Sequence, residues 1–476
     1  MQSSATPLGH FSSPLFTHRH PSTSDDPRLP LALFKPYFWI KEFGISSFTP
    51  AAVAKVGIAM VGVLHDFETA ALLGRKALEL LDRFPGDTRP AIEAPTLMLV
   101  NAFVLSWSTP FKDRIPSLLR AYELSLKVGD IENAGHSAFF FTCFRFMTGV
   151  RLDQVVADVR MYALQMKNLK QLGSHYMFNG DLQMYLNLMG ENSISSDLSE
   201  LEGDCFTKEE SAVMAKVHPP FQHGLTRNGA MLYCFFGEHE KLAKIVLRDK
   251  GADIPLVGVP NTMYHAFVRG VSCFAAYRAT MNRGYEKMAM MMRSKIKSWV
   301  RKGNPNVVHF DKLLDAENAA TKGRFSDAAS HFESSIQFAA RSGYIHDAAL
   351  ACERYGEYCL ERGDEETARF QLERSLEFWT VFKAHGKVRH IQSRYSSLWP
   401  VPVVINGSGE LIGRNNDNDA TIVAHALSNE FKPEVVSEGV TNSKGEQYGH
   451  KKQSLPAPRR LSLQLIPGCR RKSVSG

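Results

Sequence analysis

Long apolar runs are missing from this chain. The best, Ala51 to Leu64, holds Lys55 and falls short of the about 20 residues that a membrane-crossing helix needs. The Phe139–Phe141 run is interrupted by Arg145. No basic segment followed by an apolar stretch opens the sequence, so no secretory signal is visible and the cytoplasm is the expected location. Cysteine is sparse. The seven present are scattered, odd in number and never in a CxxC pair, which argues against a disulfide scaffold and a structural zinc module. Without secretion, the sequon beginning at Asn406 carries little meaning. No GxxxxGK[ST] loop and no HExxH pair occurs. Runs with the alternation of a β-strand are nearly absent.

An excess of one charge is missing from most of the chain too. The formal net charge is +7, and Lys444 to the end supplies all of it, with eight basic residues against Glu446. The neutral body is not a nucleic-acid domain by composition. Only the basic tail suits phosphates or an anionic surface.

Hydrophobic residues make up 44 % and charged residues 22 %, which is globular usage. From residue 31 to 400 apolar residues recur at helical spacing, as in Ala70, Leu73, Ala77, Leu80 and in Leu118, Leu119, Tyr122, Leu126. Gly, Pro and Asp punctuation separates the segments, at Gly129-Asp130, Gly149, Gly237, Gly323, Gly343 and Gly363. The fold class that follows is all-α. Small and large residues after two of these glycines match a tetratricopeptide-like hairpin. Ala328, Phe332 and Ser335 follow Gly323; Ala368, Leu372 and Ser375 follow Gly363; Gly356 provides the small residue on the preceding helix. Small residues there let two helices approach, and the large one fills the groove. His65 and Gly237 give weaker echoes. The expected architecture is an α-α superhelix over 31–400, a disordered arm over 1–30 and a mostly disordered basic tail over 401–476. Residues 191–217 and 251–260 are expected as connections, Val401–Ile405 as a short strand, and about 262–302 as one helix carrying Met288, Met290, Met291 and Met292.

Motifs that carry chemistry elsewhere read here as structure. Gly407-Ser-Gly409 to Gly413 is one residue too long for a dinucleotide loop, and no helix pattern follows to receive a pyrophosphate. Gly135-His-Ser137 lacks the closing glycine and the preceding strand of a nucleophile elbow, so Ser137 is a small packing residue. His18 and His20 lack a third metal ligand. His309 and Asp311 flank a helix start, with Asp311 as the cap. The Met cluster reads as core. No catalytic, cofactor or metal residue is assigned. Ser462 and Ser473 follow basic residues and are candidate phosphorylation sites, where phosphate would offset the tail's charge.

One stretch resembles a known family. Phe325 to Leu398 is similar to the end of the helical region in large serine/threonine-kinase and histidine-kinase hybrids with a STAND-type predicted ATPase domain. The segments are Ala348 to Glu353, Arg362-Gly363-Asp364, Trp379, Phe382, Ala384, Gly386-Lys387-Val388 and Tyr395. Upstream, Leu313 to Glu317, Trp299 with Pro305 and His309, Leu118 to Tyr122, Gly129 to Glu132 and Ala134-Gly135 are similar as well. Phe382, Lys383 and Ser396 depart from the family's Trp, Gly and Pro, and its catalytic domains have no counterpart in this sequence. The resemblance implies a tetratricopeptide-like fold and a signalling context. It leads to a non-catalytic scaffold that binds protein, with a kinase or P-loop ATPase supplied in trans. An enzyme with a site between helices, and RNA or anionic-surface binding through the tail, are the alternatives.

Overall fold

The computed structural model describes residues 44–207, 219–251 and 258–399, with isolated positions in 35–42, Glu209 and two short strand pieces; of 219–223 it describes backbone alone. The chain divides into units at 1–417 and 418–476. The second unit, the 1–30 arm, His18, His20, the sequon, Ser462 and Ser473 lie outside the described residues.

The described body is built of α-helices. They are α1 (Thr49–Ala59), α2 (Phe67–Glu79), α3 (Arg89–Leu99), α4 (Ile115–Val128), α5 (Ile131–Met147), α6 (Leu152–Asn168), α7 (Leu172–Met189) and α8 (Pro219–Phe235). After them come α9 (His239–Arg248), α10 (Thr262–Thr280), α11 (Arg283–Arg301), α12 (Val308–Thr321), α13 (Phe325–Ser342), α14 (Ile345–Glu361), α15 (Glu365–Phe382) and α16 (His385–Arg394). β1 (Val404–Ile405) and β2 (Leu411–Ile412) pair antiparallel. Leu411 and Ile412 are therefore strand where a dinucleotide loop would need a helix.

Sequential helices pack as antiparallel hairpins, and their turns are regularly spaced. Gly303, Gly323, Gly343, Gly363 and Lys383 take left-handed backbone at intervals of 20 residues. Such a residue ends a helix by turning its last carbonyls toward the following N–H groups. Asp66, Asp130 and Asp364 then cap α2, α5 and α15 by accepting from the N–H of Thr69, Asn133 and Thr367. One bond repeats with the hairpins: Ser335 Oγ donates to the His309 carbonyl at 2.9 Å, and Ser375 Oγ, 40 residues on, to the Ala349 carbonyl at 2.8 Å.

The helices differ in how much of their surface is buried. α4, α6, α9, α11, α13 and α15 bury one face. On α11 that face is Tyr285, Met288, Ala289, Met292, Ile296 and Trp299. Met290 is half-buried and Met291 is 40 % exposed, so the Met cluster is only partly core. α5, α10, α12 and α14 are buried almost all round. Distant hairpins also meet. A Cβ on Gly149 would run into the Gly343 carbonyl, and one on Gly386 would lie 2.6 Å from the Asn187 carbonyl oxygen. Phe146 stacks on Tyr185 at 4.7 Å and lies 5.0 Å from the His346 ring.

Three expectations need correction. The single helix over 262–302 is two, because Met281 is left-handed and Asn282 caps α11 by accepting from the Gly284 N–H. Asp311 caps nothing; it is a buried first-turn residue of α12, and Val307 occupies the cap. One stretch, Arg89–Trp107, is long and apolar enough to cross a membrane by length and composition, although a search for unbroken apolar runs passes over it; 78 % of its apolar window is buried within the structure.

Candidate functional site

The covered helices are not purely apolar. α10, α12 and α14 carry polar side chains at spacings of seven or eight residues: Tyr264 and Ser272, His309 and Glu317, Asp347 and Arg354. Two helical turns separate the members of each pair, so each helix contributes to two polar levels.

At the first level Asp347 is the centre. Its Oδ2 accepts from Tyr264 OH at 2.5 Å and from His309 Nε2 at 2.9 Å. His346 Nε2 lies 2.6 Å from the Tyr264 oxygen. The Tyr264 proton is committed to Asp347, so His346 Nε2 is the donor in that contact. Burial holds the His346 imidazole below its ordinary pKa, against the pull of Asp347. Burial, together with the charge of Asp347, pushes the Tyr264 phenol well up.

The second level is ionic and ties α9, α10, α12, α14 and α16. Glu317, fully buried, accepts from Arg278 at 2.5 Å and Arg354 at 2.8 Å. Burial raises the Glu317 carboxyl, and the two guanidinium charges more than reverse this, so it stays ionised below the usual carboxylate range. Arg278 also binds Glu361 at 2.9 Å, and Arg354 pairs with Glu357. Glu357 in turn accepts from Tyr395 OH and lies 3.3 Å from Arg394. Lys387, fully buried, donates to Glu353 at 2.7 Å and lies 3.3 Å from His390 Nδ1. Burial lowers the Lys387 pKa and Glu353 opposes it. Four cations (Arg278, Arg354, Lys387, Arg394) thus face four anions (Glu317, Glu353, Glu357, Glu361).

His239 shows what this network permits chemically. Arg354 has only donors, so His239 Nε2 accepts from it at 3.0 Å. His239 Nδ1 therefore holds the proton and donates to Ser272 Oγ at 3.0 Å. Burial first, and the Arg354 charge next, keep the imidazole neutral. A base that activates serine must accept from the hydroxyl. Here the proton points the other way, and His239 is a relay that orients Ser272.

A third cluster sits on α5, α7 and α8. Asp181 accepts from Arg227 at 2.5 Å, from Asn228 at 2.8 Å and from the Cys143 thiol at 3.3 Å. Burial and the Asp181 charge push the thiol well above its ordinary pKa, so Cys143 is held as a neutral donor.

The residues selected by the hairpin pattern are turn and packing residues of α12 to α15. Gly323 and Gly363 are left-handed turn residues with open space where a Cβ would stand. Ala328, Phe332, Ala368 and Leu372 are fully buried, and Phe332 stacks on Tyr355 at 5.0 Å. Gly356 on α14 receives Leu372, whose Cγ would lie 2.8 Å from a Cβ there. Ser137 is buried within α5. Several residues of the family-like segments, Glu317, Glu353, Lys387 and Tyr395, meet in the ionic network. Sequence reasoning gave Arg278, His239 and Arg354 no role. Apart from the local Arg354–Glu357 pair, their partners lie 33 to 115 residues away, beyond any local pattern. One signal was available: Glu317 and Glu357 stand 40 residues apart, in step with Gly323 and Gly363.

No family model matches the chain, and no curated protein matches it in sequence.

Proposed function

We propose that the chain is a non-catalytic protein-interaction scaffold of signal transduction, built on a tetratricopeptide-like superhelix similar to the helical region of STAND-type ATPase–kinase hybrids. The observation that carries this reading is the ionic network of the inner helices. Its charges are spent on one another inside the body, where they fix helix against helix, and the outer helices are left to present the surface. The 20-residue rhythm of left-handed turns supports the repeat architecture. The partner would be a protein kinase or P-loop ATPase acting in trans.

Affinity capture with the full chain from its native cell tests this, against the same chain cut before Lys444. A kinase or P-loop ATPase retained by both forms is the expected result. Capture that depends on 444–476 and collapses with salt would transfer the activity to nucleic acid or an anionic surface. Turnover of a screened substrate, lost on His239→Ala, would replace the scaffold with an enzyme.

A further inference from the structure

Two exposed helix faces of opposite charge lie on this one chain. On α6, Met161 and Leu164 are 52 % and 59 % exposed, and the turn into α7 adds exposed Leu169 and Leu172. Grouped exposed apolar side chains mark an interaction surface. Lys167 and Lys170 stand exposed among them and form no ion pair among the described residues, while Arg160 reaches Glu191 at 3.7 Å. On α15, Phe370 and Val381 are exposed. Glu366, Glu373 and Glu377 share their side, since 366, 370, 373, 377 and 381 follow one another at steps of three and four. None of these three glutamates forms an ion pair among the described residues. Arg369 is a cation of this region, and Arg374, held by Glu333 at 2.9 Å, lies over the Phe370 ring at 5.6 Å.

The two helices are neighbours at their ends. Arg160 on α6 reaches Glu191 at 3.7 Å, and Gly190 beside it packs on Gly386, three residues past Lys383 at the end of α15. A surface that is basic and apolar toward one end and acidic and apolar toward the other is complementary to a rotated copy of itself. Two-fold pairing of this kind is the commonest symmetry of soluble oligomers. We propose that the protein self-associates as a two-fold dimer, the Leu164–Lys167–Lys170 face of each protomer meeting the Phe370–Glu373–Glu377 face of the other. Both halves of the complementary pair are present on this chain, which favours a second copy over an unrelated acidic helix.

Sedimentation velocity of the full chain, over about 1–100 µM, tests the proposal. A dimer is expected that weakens as salt rises from about 0.05 to 0.5 M, because screening shortens the reach of the exposed charges. Leu164→Asp and Phe370→Asp should each raise the dissociation constant at least about tenfold without moving the thermal midpoint. The charge reversals Lys167→Glu/Lys170→Glu and Glu373→Lys/Glu377→Lys should each give monomer, and an equimolar mixture of the two should recover a dimer. A chain that is monomeric throughout, a dimer that ignores these substitutions, or a mixture that stays monomeric would each overturn it. So would a monomer whose α6 face binds a synthetic acidic amphipathic peptide.

Discussion

Lys387 illustrates why a buried ion pair specifies a structure more than it stabilises one. Its ammonium is fully enclosed and its partner Glu353 is 3 % exposed. Removing one partner leaves the other charge without compensation, whereas removing both for apolar groups is close to neutral. Lys387→Met should therefore lower unfolding free energy by about 3–5 kcal/mol, while Lys387→Met with Glu353→Leu should recover most of it. Urea titration of both variants measures this; equal losses would mean that the pair does not act as a unit. The histidines give a pH dependence. His239 and His346 are held below their ordinary value of 6.5, and burial, with Lys387 and Arg394, brings His390 to about 3. The unfolded chain thus binds more protons than the folded one between about pH 6.5 and the depressed folded values. Stability is complete above that window and is lost as pH falls through it, by about 1.4 kcal/mol per pH unit for each histidine involved. His390→Gln should reduce the slope between about pH 6 and 4 by one proton. An unchanged slope would show that His390 titrates alike in both states. Glu317 adds loss in the same direction below its ordinary 4.5.

At the level of the helix, two glycines in the same hairpin should respond differently to alanine. Gly356 has Leu372 Cγ 2.8 Å from where a Cβ would stand, so Gly356→Ala overpacks the α14–α15 contact and should cost about 1–3 kcal/mol. Gly363 has open space and φ +77, so Gly363→Ala meets only backbone strain of about 1–2 kcal/mol. Adding Leu372→Ala should relieve the Gly356 variant and leave the Gly363 variant unrelieved, which a thermal-melt double-mutant cycle will read. The sequence disclosed these turns because glycine at a left-handed position is a local requirement. It did not disclose the break at Met281, where a non-glycine residue takes the same conformation and the signal is the Asn282 cap alone. The Asp311 misreading has the same root. A side chain near a helix start caps it only if the chain enters from the right side, and Asn304–Val307 enters through a tight turn of its own.

Across the whole body, contacts between hairpins far apart in sequence change how it should unfold. A linear array contacts only neighbouring repeats and frays from its ends. Here the α5–α6 turn packs on Gly343, and the end of α7 packs on Gly386. Native-state hydrogen exchange should therefore give α5 and α14 the same opening free energy, and Gly149→Ala should lower both. Separate values for the two helices would show that these contacts do not couple the halves.

The sequence by itself determined the all-α class, the hairpin punctuation and the small-residue pattern at Gly323, Ala328, Gly356, Gly363 and Ala368, because each depends on residues within one or two helical turns. Tertiary structure alone decided which faces of α12 and α14 are covered, which charges neutralise one another, and on which side of His239 the proton sits. Those outcomes depend on partners separated by tens to hundreds of residues. A glutamate destined for the core at 317 looks in sequence like any solvated one, until Arg278 and Arg354 are folded against it.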